Sequence, residues 1–361
     1  MNMNTPLPMH PLHGGQLDVY AQHYAIAKNQ WLDLSTGINP NGYPQVRIPD
    51  SVFRDLPSDD DGLQQVACDY YGSDQILMVP GSSWAIQYLP AVLHNLVTPI
   101  KKVLLPQLGY SEHERAWRAL GAQIEFYDDL PSVTQLQTCQ VCVLINPNNP
   151  STHLVPAEGV VKIAQQLQQQ SAWLIVDEAF VDSRPHNSVI HNREENVIVL
   201  RSLGKFFGLA GLRVGAIIAN DKVLQVSKQM LSPWALNHPA RFIAKKALQD
   251  KQWIEHTQAG LKKQSQTLLA TCEQSLLKHL KIPVTINHTD FFVTLFLDST
   301  MESLTLHHCL CKQGIYTRLL DNQKGIRIGL PNNSRETWQH LARGFMQAAH
   351  NFQKDISNVY A

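Results

Sequence analysis

The sequence predicts an α/β protein, with a mostly parallel sheet in a large domain and a smaller α+β domain after it. Three observations lead to this prediction. Short β-rich runs alternate with helical patterns from about residue 76 to residue 218, which is typical of open parallel sheets. After about residue 240 a long helical stretch is followed by short strands. The 361 residues are enough for about two domains.

Six apolar runs are predicted as buried strands. They are "ILMVP" (76–80), "VLLP" (103–106), "QIEFY" (123–127), "VCVLIN" (141–146), "WLIVD" (173–177) and "VIVLR" (197–201). An amphipathic pattern predicts a helix over 159–170. In the second domain we expect strands near 283–287, 291–297, 315–319 and 325–329, and helices over 302–313 and 335–352. The expected domains are an N-terminal arm (1–33), a large domain (34–240) and a small domain (241–361).

Composition narrows the class of partner. The 30 basic and 30 acidic residues balance, so nothing in the charge indicates a nucleic-acid or membrane partner. The first residues lack the pattern of a signal peptide, and the six cysteines are scattered. We therefore expect a reduced, cytoplasmic protein that buries part of its apolar surface in an oligomer.

Three short segments could suggest a metal site. Cys139 and Cys142 have the spacing of a ligand pair, but no second pair follows, and Cys142 lies inside a predicted buried strand. The run "HHCLC" (307–311) falls in a predicted amphipathic helix. The run "SDDDG" (58–62) reads as a solvated turn, because three adjacent aspartates make a poor metal cage. We expect no metal.

Chemically useful side chains follow the predicted strands, and in parallel sheets ligands bind beyond the carboxyl ends of strands. Glycine and serines at a helix N-terminus suit an anion, and a lysine lies in the glycine-rich run "RSLGKFFGLAGLRVG" (201–215). The residues that follow the strands are Gly81, Ser82, Ser83, Tyr110, Asn149, Asp177, Ser202, Lys205 and Arg213.

One cofactor uses all of these groups, namely pyridoxal 5′-phosphate. Lys205 would form a Schiff base with its aldehyde, and the flexible loop would let the lysine reach it. The carboxylate of Asp177 would keep the ring nitrogen protonated, so that the ring withdraws electrons. Ser202 and Arg213 would hold the phosphate through charge-assisted hydrogen bonds.

The arrangement resembles fold-type-I pyridoxal-phosphate enzymes of the histidinol-phosphate aminotransferase branch, and family motifs extend from about residue 13 to residue 330. The resemblance implies that Tyr110 stacks on the ring and that Asn149 contacts the ring hydroxyl. It also implies that Arg327, in "GIRIG", binds the substrate carboxylate. The implied phosphate contacts are Gly81, Ser82, Ser83, Ser202 and Arg213.

Within this branch the chain resembles the threonine-phosphate decarboxylases of cobalamin synthesis, on the segments "HGG" (13–15), "WLDLSTGINPNGYP" (31–44) and "DEAF" (177–180). The resemblance implies decarboxylation of L-threonine O-3-phosphate to (R)-1-amino-2-propanol O-2-phosphate by a homodimer. His13, from the partner subunit, would meet the substrate phosphate together with Asn39 and Arg318.

Two alternatives remain open. The first is a histidinol-phosphate or aromatic aminotransferase, although such enzymes usually carry tyrosine at the position of Phe180 and a hydroxyl residue at that of Gly204. They also carry a tyrosine near a "YP" pair that reaches the partner's phosphate site, where this chain has Leu56-Pro57. The second alternative is a cofactor-binding regulator without chemistry. Such regulators normally carry a helix-turn-helix domain, whereas only about 33 residues precede the predicted fold here.

Overall fold

The structure, a computed structural model, describes residues 14–96 and 99–360, the last three of these without their side chains. The chain divides into two compact units. The central unit is Gly42–Gln258. The terminal unit is formed by the described parts of Met1–Asn41 and Ala259–Ala361, so it is built from both ends of the chain.

A seven-stranded sheet forms the core of the central unit. Its strands, in their order across the sheet, are Ile76–Val79, Gly215–Ile218, Val197–Ser202, Trp173–Asp177, Val141–Ile145, Lys102–Pro106 and Gln123–Tyr127. The strands from Val197–Ser202 to Gln123–Tyr127 run parallel. Gly215–Ile218 runs antiparallel to both of its neighbours. The predicted α/β class is therefore confirmed.

Continuous apolar runs form these strands because they lie in the interior of the unit. Every residue of Val141–Ile145 and of Val197–Ser202 is buried, as expected for parallel strands covered on both faces. The helices of the central unit are Asp50–Arg54, Leu63–Tyr71, Ser82–Leu96, Glu112–Ala119, Val133–Leu136, Ala157–Gln168, Asp221–Met230 and His238–Gln249. Between these elements lie the 3₁₀ turns Val181–Ser183, Pro185–Asn187, Ile190–Asn192 and Ala210–Leu212.

The terminal unit contains an antiparallel four-stranded sheet. The order of its strands is Arg318–Leu319, Gly325–Gly329, Phe292–Phe296 and Thr285–His288. The helices that accompany it are Leu17–Tyr24, Thr300–Cys311 and Arg335–Tyr360, with short helical turns at Lys28–Gln30, Cys272–Leu276 and Leu277–His279. The helix Lys251–Thr271 contains the unit boundary. No helix in the described part of the chain is long and apolar enough to cross a membrane.

The predicted strand over 315–319 is two strands in the structure. Ile315–Tyr316 pairs in parallel with Leu32–Asp33, whereas Arg318–Leu319 pairs with Gly325–Gly329 in the four-stranded sheet. Thr317 lies between the two and is fully buried, with its hydroxyl 3.0 Å from His307 Nδ1. The buried Thr317 therefore marks the point where the chain passes from one sheet to the other.

The unit boundaries differ from the expected ones at residues 33 and 240. The segment before residue 42 joins the terminal unit, because Tyr20 of the helix Leu17–Tyr24 is buried against Tyr316, with ring centroids 4.2 Å apart. Residues 241–258 belong to the central unit. There, Arg241 Nε lies 2.7 Å from Asp61 Oδ2 and ties its helix to the preceding part of that unit.

Candidate active site

Asp177 ends the strand Trp173–Asp177 and is only 4% exposed. Its Oδ1 accepts a hydrogen bond from the Ala179 backbone N–H at 3.1 Å. Its Oδ2 lies 3.0 Å from His113 Nε2. A buried carboxylate with two such partners is held in one orientation at the carboxyl end of its strand. This arrangement suits a contact with a positively charged ring nitrogen.

His113 is a site residue that the sequence did not identify. It lies in the helix Glu112–Ala119 and is 3% exposed. Its neighbours in the run "SEHERAW" include the charged residues Glu112, Glu114 and Arg115. The signal that could have found it is the amphipathic spacing of the helix, which buries His113 and Trp117 on one face.

An anion cradle is formed where the strand Ile76–Val79 leads into the helix Ser82–Leu96. Gly81 has a φ of +80°, and a Cβ there would lie 2.9 Å from Arg213 Nη2, so the position requires glycine. Arg213 Nη2 donates to Ser83 Oγ at 3.2 Å. The positive end of the helix and a guanidinium thus meet around the predicted phosphate contacts.

Lys205 lies in the turn that follows the strand Val197–Ser202. Its Nζ lies 5.3 Å from the centroid of the Phe180 ring. The neighbouring Phe206 and Phe207 are fully buried, which anchors the turn while Lys205 stays half-buried. Ser202 Oγ accepts from the Gly204 backbone N–H at 3.2 Å, so the hydroxyl predicted to hold phosphate lies at the base of the same turn.

Tyr110 and Asn149 are both half-buried at the ends of neighbouring strands. The ring of Tyr110 meets that of His113 edge to face, with centroids 6.5 Å apart. The turn that carries Asn149 is held by Asn146, whose side chain exchanges two hydrogen bonds with the backbone of Val155, at 2.8 and 2.9 Å. The central unit therefore carries every predicted cofactor contact.

Three of the four predicted substrate residues, namely Asn39, Arg318 and Arg327, lie in the terminal unit. Arg318 and Arg327 are directly opposite each other on paired antiparallel strands. Arg327 Nη2 donates to the Ser35 carbonyl at 2.6 Å, and Arg318 Nη2 lies 2.8 Å from Asp321 Oδ1. Asn39 is 3% exposed, and its Oδ1 accepts from the Asn41 backbone N–H at 2.9 Å. His13 lies outside the described residues.

Burial, reinforced by repulsion from Arg318, lowers the pKa of Arg327 to about 10. The guanidinium is still charged at neutral pH, but its charge is costly in this environment. An anionic ligand therefore stabilises this buried arginine more than it would stabilise an arginine exposed to solvent. Arg318 and Arg327 are cross-strand partners, and the charge of one acts on the other, so the pair suits a ligand with two negative groups.

The residues of the central unit fit pyridoxal 5′-phosphate. The cradle offers N–H groups, hydroxyls and a guanidinium, and Gly81 has a φ of +80°, which side chains rarely adopt. The buried Asp177 could supply the anion for a ring nitrogen, and Lys205 could supply an amine. The described residues contain no group of histidine, cysteine or acidic side chains that could hold a metal ion.

Comparison with known proteins identifies the family. The family model "Aminotransferase class I and II" matches residues 44–345. A threonine-phosphate decarboxylase of Pseudomonas aeruginosa is 35% identical over 342 residues, which cover 94% of this chain and 99% of the relative. A histidinol-phosphate aminotransferase of Blochmanniella floridana is 30% identical over 70% of this chain and 68% of its own length.

Among solved structures, the histidinol-phosphate aminotransferase of Sinorhizobium meliloti in complex with pyridoxal 5′-phosphate has a TM-score of 0.76 at 18% identity. The match covers 97% of this chain and 99% of that one. The chain belongs to the class I and II aminotransferase family. The predicted family, the fold-type-I architecture and the cofactor pyridoxal 5′-phosphate are thereby confirmed.

Proposed function

We propose that the protein is a pyridoxal-phosphate-dependent decarboxylase. It converts L-threonine O-3-phosphate to (R)-1-amino-2-propanol O-2-phosphate in cobalamin biosynthesis. The observation that carries this proposal is the 35% identity to a threonine-phosphate decarboxylase along nearly the whole of both chains. A second relative of that name, from Sinorhizobium, is 34% identical over 91% of this chain. The histidinol-phosphate aminotransferase relative covers a smaller share at lower identity.

The bound cofactor supplies an electron sink for the pair left when carbon dioxide departs. Asp177 holds a proton at the ring nitrogen, and His113 positions Asp177 through the 3.0 Å bond to Oδ2. Lys205 is the amine that tethers the cofactor. Gly81, Ser82, Ser83, Ser202 and Arg213 would hold its phosphate. Tyr110 would contact its ring, and Asn149 would bind its hydroxyl.

Substrate orientation separates decarboxylation from transamination. Which substrate bond breaks would depend on how the residues of this chain orient the substrate, because the cofactor would accept electrons only from a bond aligned with its π system. Arg327 binds the substrate carboxylate and sets this angle, whereas Arg318, Asn39 and His13 bind the substrate phosphate. The opposed positions of Arg318 and Arg327 support this division, since threonine phosphate carries two anionic groups.

Product identity tests the proposal. Purified protein with the cofactor should release carbon dioxide from L-threonine O-3-phosphate without any keto-acid acceptor. Threonine without its phosphate should be a poor substrate, because the phosphate-binding groups would be left unpaired. The aminotransferase alternative replaces the proposal if the protein transfers the amino group of histidinol phosphate to 2-oxoglutarate and releases no carbon dioxide from threonine phosphate.

The role of Lys205 has its own test. Borohydride reduction of the protein with bound cofactor, followed by peptide mapping, should place the pyridoxyl label on Lys205. The Lys205→Ala variant should lose both the label and the activity. A label on any other lysine would contradict the assignment.

We also propose a cytoplasmic homodimer. Five large apolar side chains among the described residues of the central unit are more than half exposed, and such side chains are common at protein interfaces. They are Phe53 (65%), Leu56 (66%), Leu130 (52%), Val133 (58%) and Trp234 (60%). In this proposal His13 acts in the partner's site. Sedimentation of a fully active monomer would exclude the dimer, and cell fractionation tests the location.

A further inference from the structure

A buried arginine joins the ends of the two strands that carry Asp177 and Ser202. Arg201 is 3% exposed, and both of its terminal nitrogens meet carboxylates. Nη1 lies 3.1 Å from Glu178 Oε2, and Nη2 lies 2.6 Å from Asp182 Oδ1. Glu178 and Asp182 are themselves 0% and 1% exposed. We name these three residues the buried clamp.

Each carboxylate of the buried clamp is also held by other groups. Ser188 Oγ donates to Glu178 Oε2 at 2.6 Å, and the Val189 backbone N–H donates to Oε1 at 2.8 Å. The Tyr70 hydroxyl donates to Asp182 Oδ1 at 2.8 Å. The carboxylates therefore cannot follow a displaced guanidinium without losing these bonds, so the clamp has one geometry.

The charge of Arg201 is favoured by its two carboxylate partners, whereas burial raises the pKa of Glu178 in spite of the nearby Arg201. Burial alone would lower the pKa of Arg201, but the carboxylates of Asp182 and Glu178 outweigh burial and raise it. A buried ion pair gives little net stability, because the cost of desolvation offsets its attraction. General stability is thus a weak reason for three buried charges at this place, and their position next to the cofactor contacts is a better one.

Glu178 and Arg201 each lie next to a proposed cofactor contact in the sequence. Glu178 directly follows Asp177, and Arg201 directly precedes Ser202. Successive side chains of a strand point to opposite faces, so Arg201 lies behind the face that carries Ser202. The strands are in register here, since Asp177 pairs with Leu200 and the Glu178 N–H donates to the Leu200 carbonyl at 2.9 Å.

We infer that Arg201 and Glu178 are positioning residues that fix the spacing between the two halves of the cofactor site. One half is Asp177, for the ring nitrogen, and the other is the phosphate cradle that includes Ser202. The inference rests on the cofactor contacts given in the proposed function. Because the cofactor is short and rigid, a shift of about 1 Å between the halves costs one of the two contacts, while each half alone can still bind its own fragment.

Binding measurements with three ligands distinguish a change in the spacing of the two halves from a general loss of stability. The affinities of the apo-protein for pyridoxal 5′-phosphate, for pyridoxal and for inorganic phosphate are measured by fluorescence titration and by competition. Arg201→Lys keeps the buried charge but cannot reach both carboxylates as the guanidinium does. For Arg201→Lys we expect the affinity for pyridoxal 5′-phosphate, divided by the affinity for pyridoxal, to fall about tenfold. The reason is that one charge-assisted contact with the cofactor is weakened. The affinities for pyridoxal alone and for inorganic phosphate should each stay within about twofold.

Glu178→Gln is the conservative variant, and it tests the inference independently if Arg201→Lys folds poorly. The amide oxygen can still accept from Arg201, so the ratio should fall by less, about threefold. Arg241→Lys is the matched control, because it also removes an arginine that bonds a carboxylate in the central unit. Arg241 donates two hydrogen bonds to Asp61, at 2.7 and 2.8 Å. This control should lower stability and leave the affinity ratio unchanged.

The outcomes distinguish a failure of this inference from a failure of the proposed function on which it rests. If wild-type protein binds pyridoxal 5′-phosphate no more tightly than pyridoxal, the assigned phosphate contacts are wrong, and the inference falls with them. If the wild-type ratio is large but both clamp variants retain it, only the clamp inference is wrong. An equal loss for all three ligands also overturns it, because it indicates general destabilisation.

Discussion

Replacing Gly215 by alanine should push apart the backbone that holds the anion cradle. A Cβ at Gly215 would lie 2.5 Å from the Ser82 backbone nitrogen, 2.7 Å from the Arg201 carbonyl oxygen and 2.8 Å from the Gly81 carbonyl carbon. Non-bonded carbon contacts are normally about 3.5 Å or longer, so the strand must move by roughly 1 Å. All three neighbours are backbone atoms, so no side chain can turn away to relieve the contact.

The expected cost has two parts. Overpacking of this kind destabilises by about 1–3 kcal/mol, which for a unit of this size lowers Tm by roughly 2–12 °C. The movement also displaces the N–H groups at the start of the helix Ser82–Leu96. Losing one charge-assisted hydrogen bond to the phosphate should weaken pyridoxal 5′-phosphate binding by roughly ten- to hundredfold.

Gly211→Ala is a matched control in the same glycine-rich run. A Cβ at Gly211 has no atom within 4 Å, and its φ lies outside the left-handed region. The substitution should therefore leave cofactor affinity unchanged and stabilise by about 0.4–1 kcal/mol, through the unfolded chain. Fluorescence titration and thermal melts of both variants give the comparison. A Gly215→Ala protein with wild-type affinity and Tm would refute the steric argument.

Three further results are expected. Asp177→Asn should still bind the cofactor but lose most turnover, because an amide has no charge to stabilise a protonated ring nitrogen; near-native kcat would contradict this role. The charge of Arg327 is complete well below its pKa of about 10 and is lost above it, so kcat/KM should fall as pH rises through about 10, and a flat profile there would argue against a carboxylate contact. Cys68 is the one cysteine of the six that is not buried, and burial raises the pKa of Cys139 to about 11, so a thiol reagent at about pH 8 should modify one cysteine in the native protein and all six after unfolding.

The sequence was most informative where a residue's role depends on its place along a strand. The apolar run "WLIVD" is the strand Trp173–Asp177 without a shift, and "QIEFY" is the strand Gln123–Tyr127. A carboxylate after four buried apolar residues had to lie at the strand end, so the position of Asp177 could be predicted. The capping box that begins the helix Thr300–Cys311 is likewise a local signal, because Ser299 and Glu302 satisfy each other's backbone N–H groups.

Contacts between distant segments could not be read in this way. The strand Gly215–Ile218 is short and follows a glycine-rich loop, and its place between Ile76–Val79 and Val197–Ser202 depends on pairing across the sheet. His113 meets Asp177 across 64 residues of chain. The spacing of His113 and Trp117 on one helix face indicates burial, but no local pattern records that the buried partner of His113 is Asp177.

The terminal unit has a consequence for how the protein is made. The hydrogen bond from Arg327 to the Ser35 carbonyl spans 292 residues, and the strand Leu32–Asp33 has its partner at Ile315–Tyr316. During translation the beginning of a chain leaves the ribosome first, and domains generally fold as units as they emerge. The central unit can therefore fold while Leu32–Asp33 is still unpaired, because its partner strand Ile315–Tyr316 has not yet been synthesised. A chain that ends at Gln258 would carry every proposed cofactor contact and neither of the arginines proposed for the substrate.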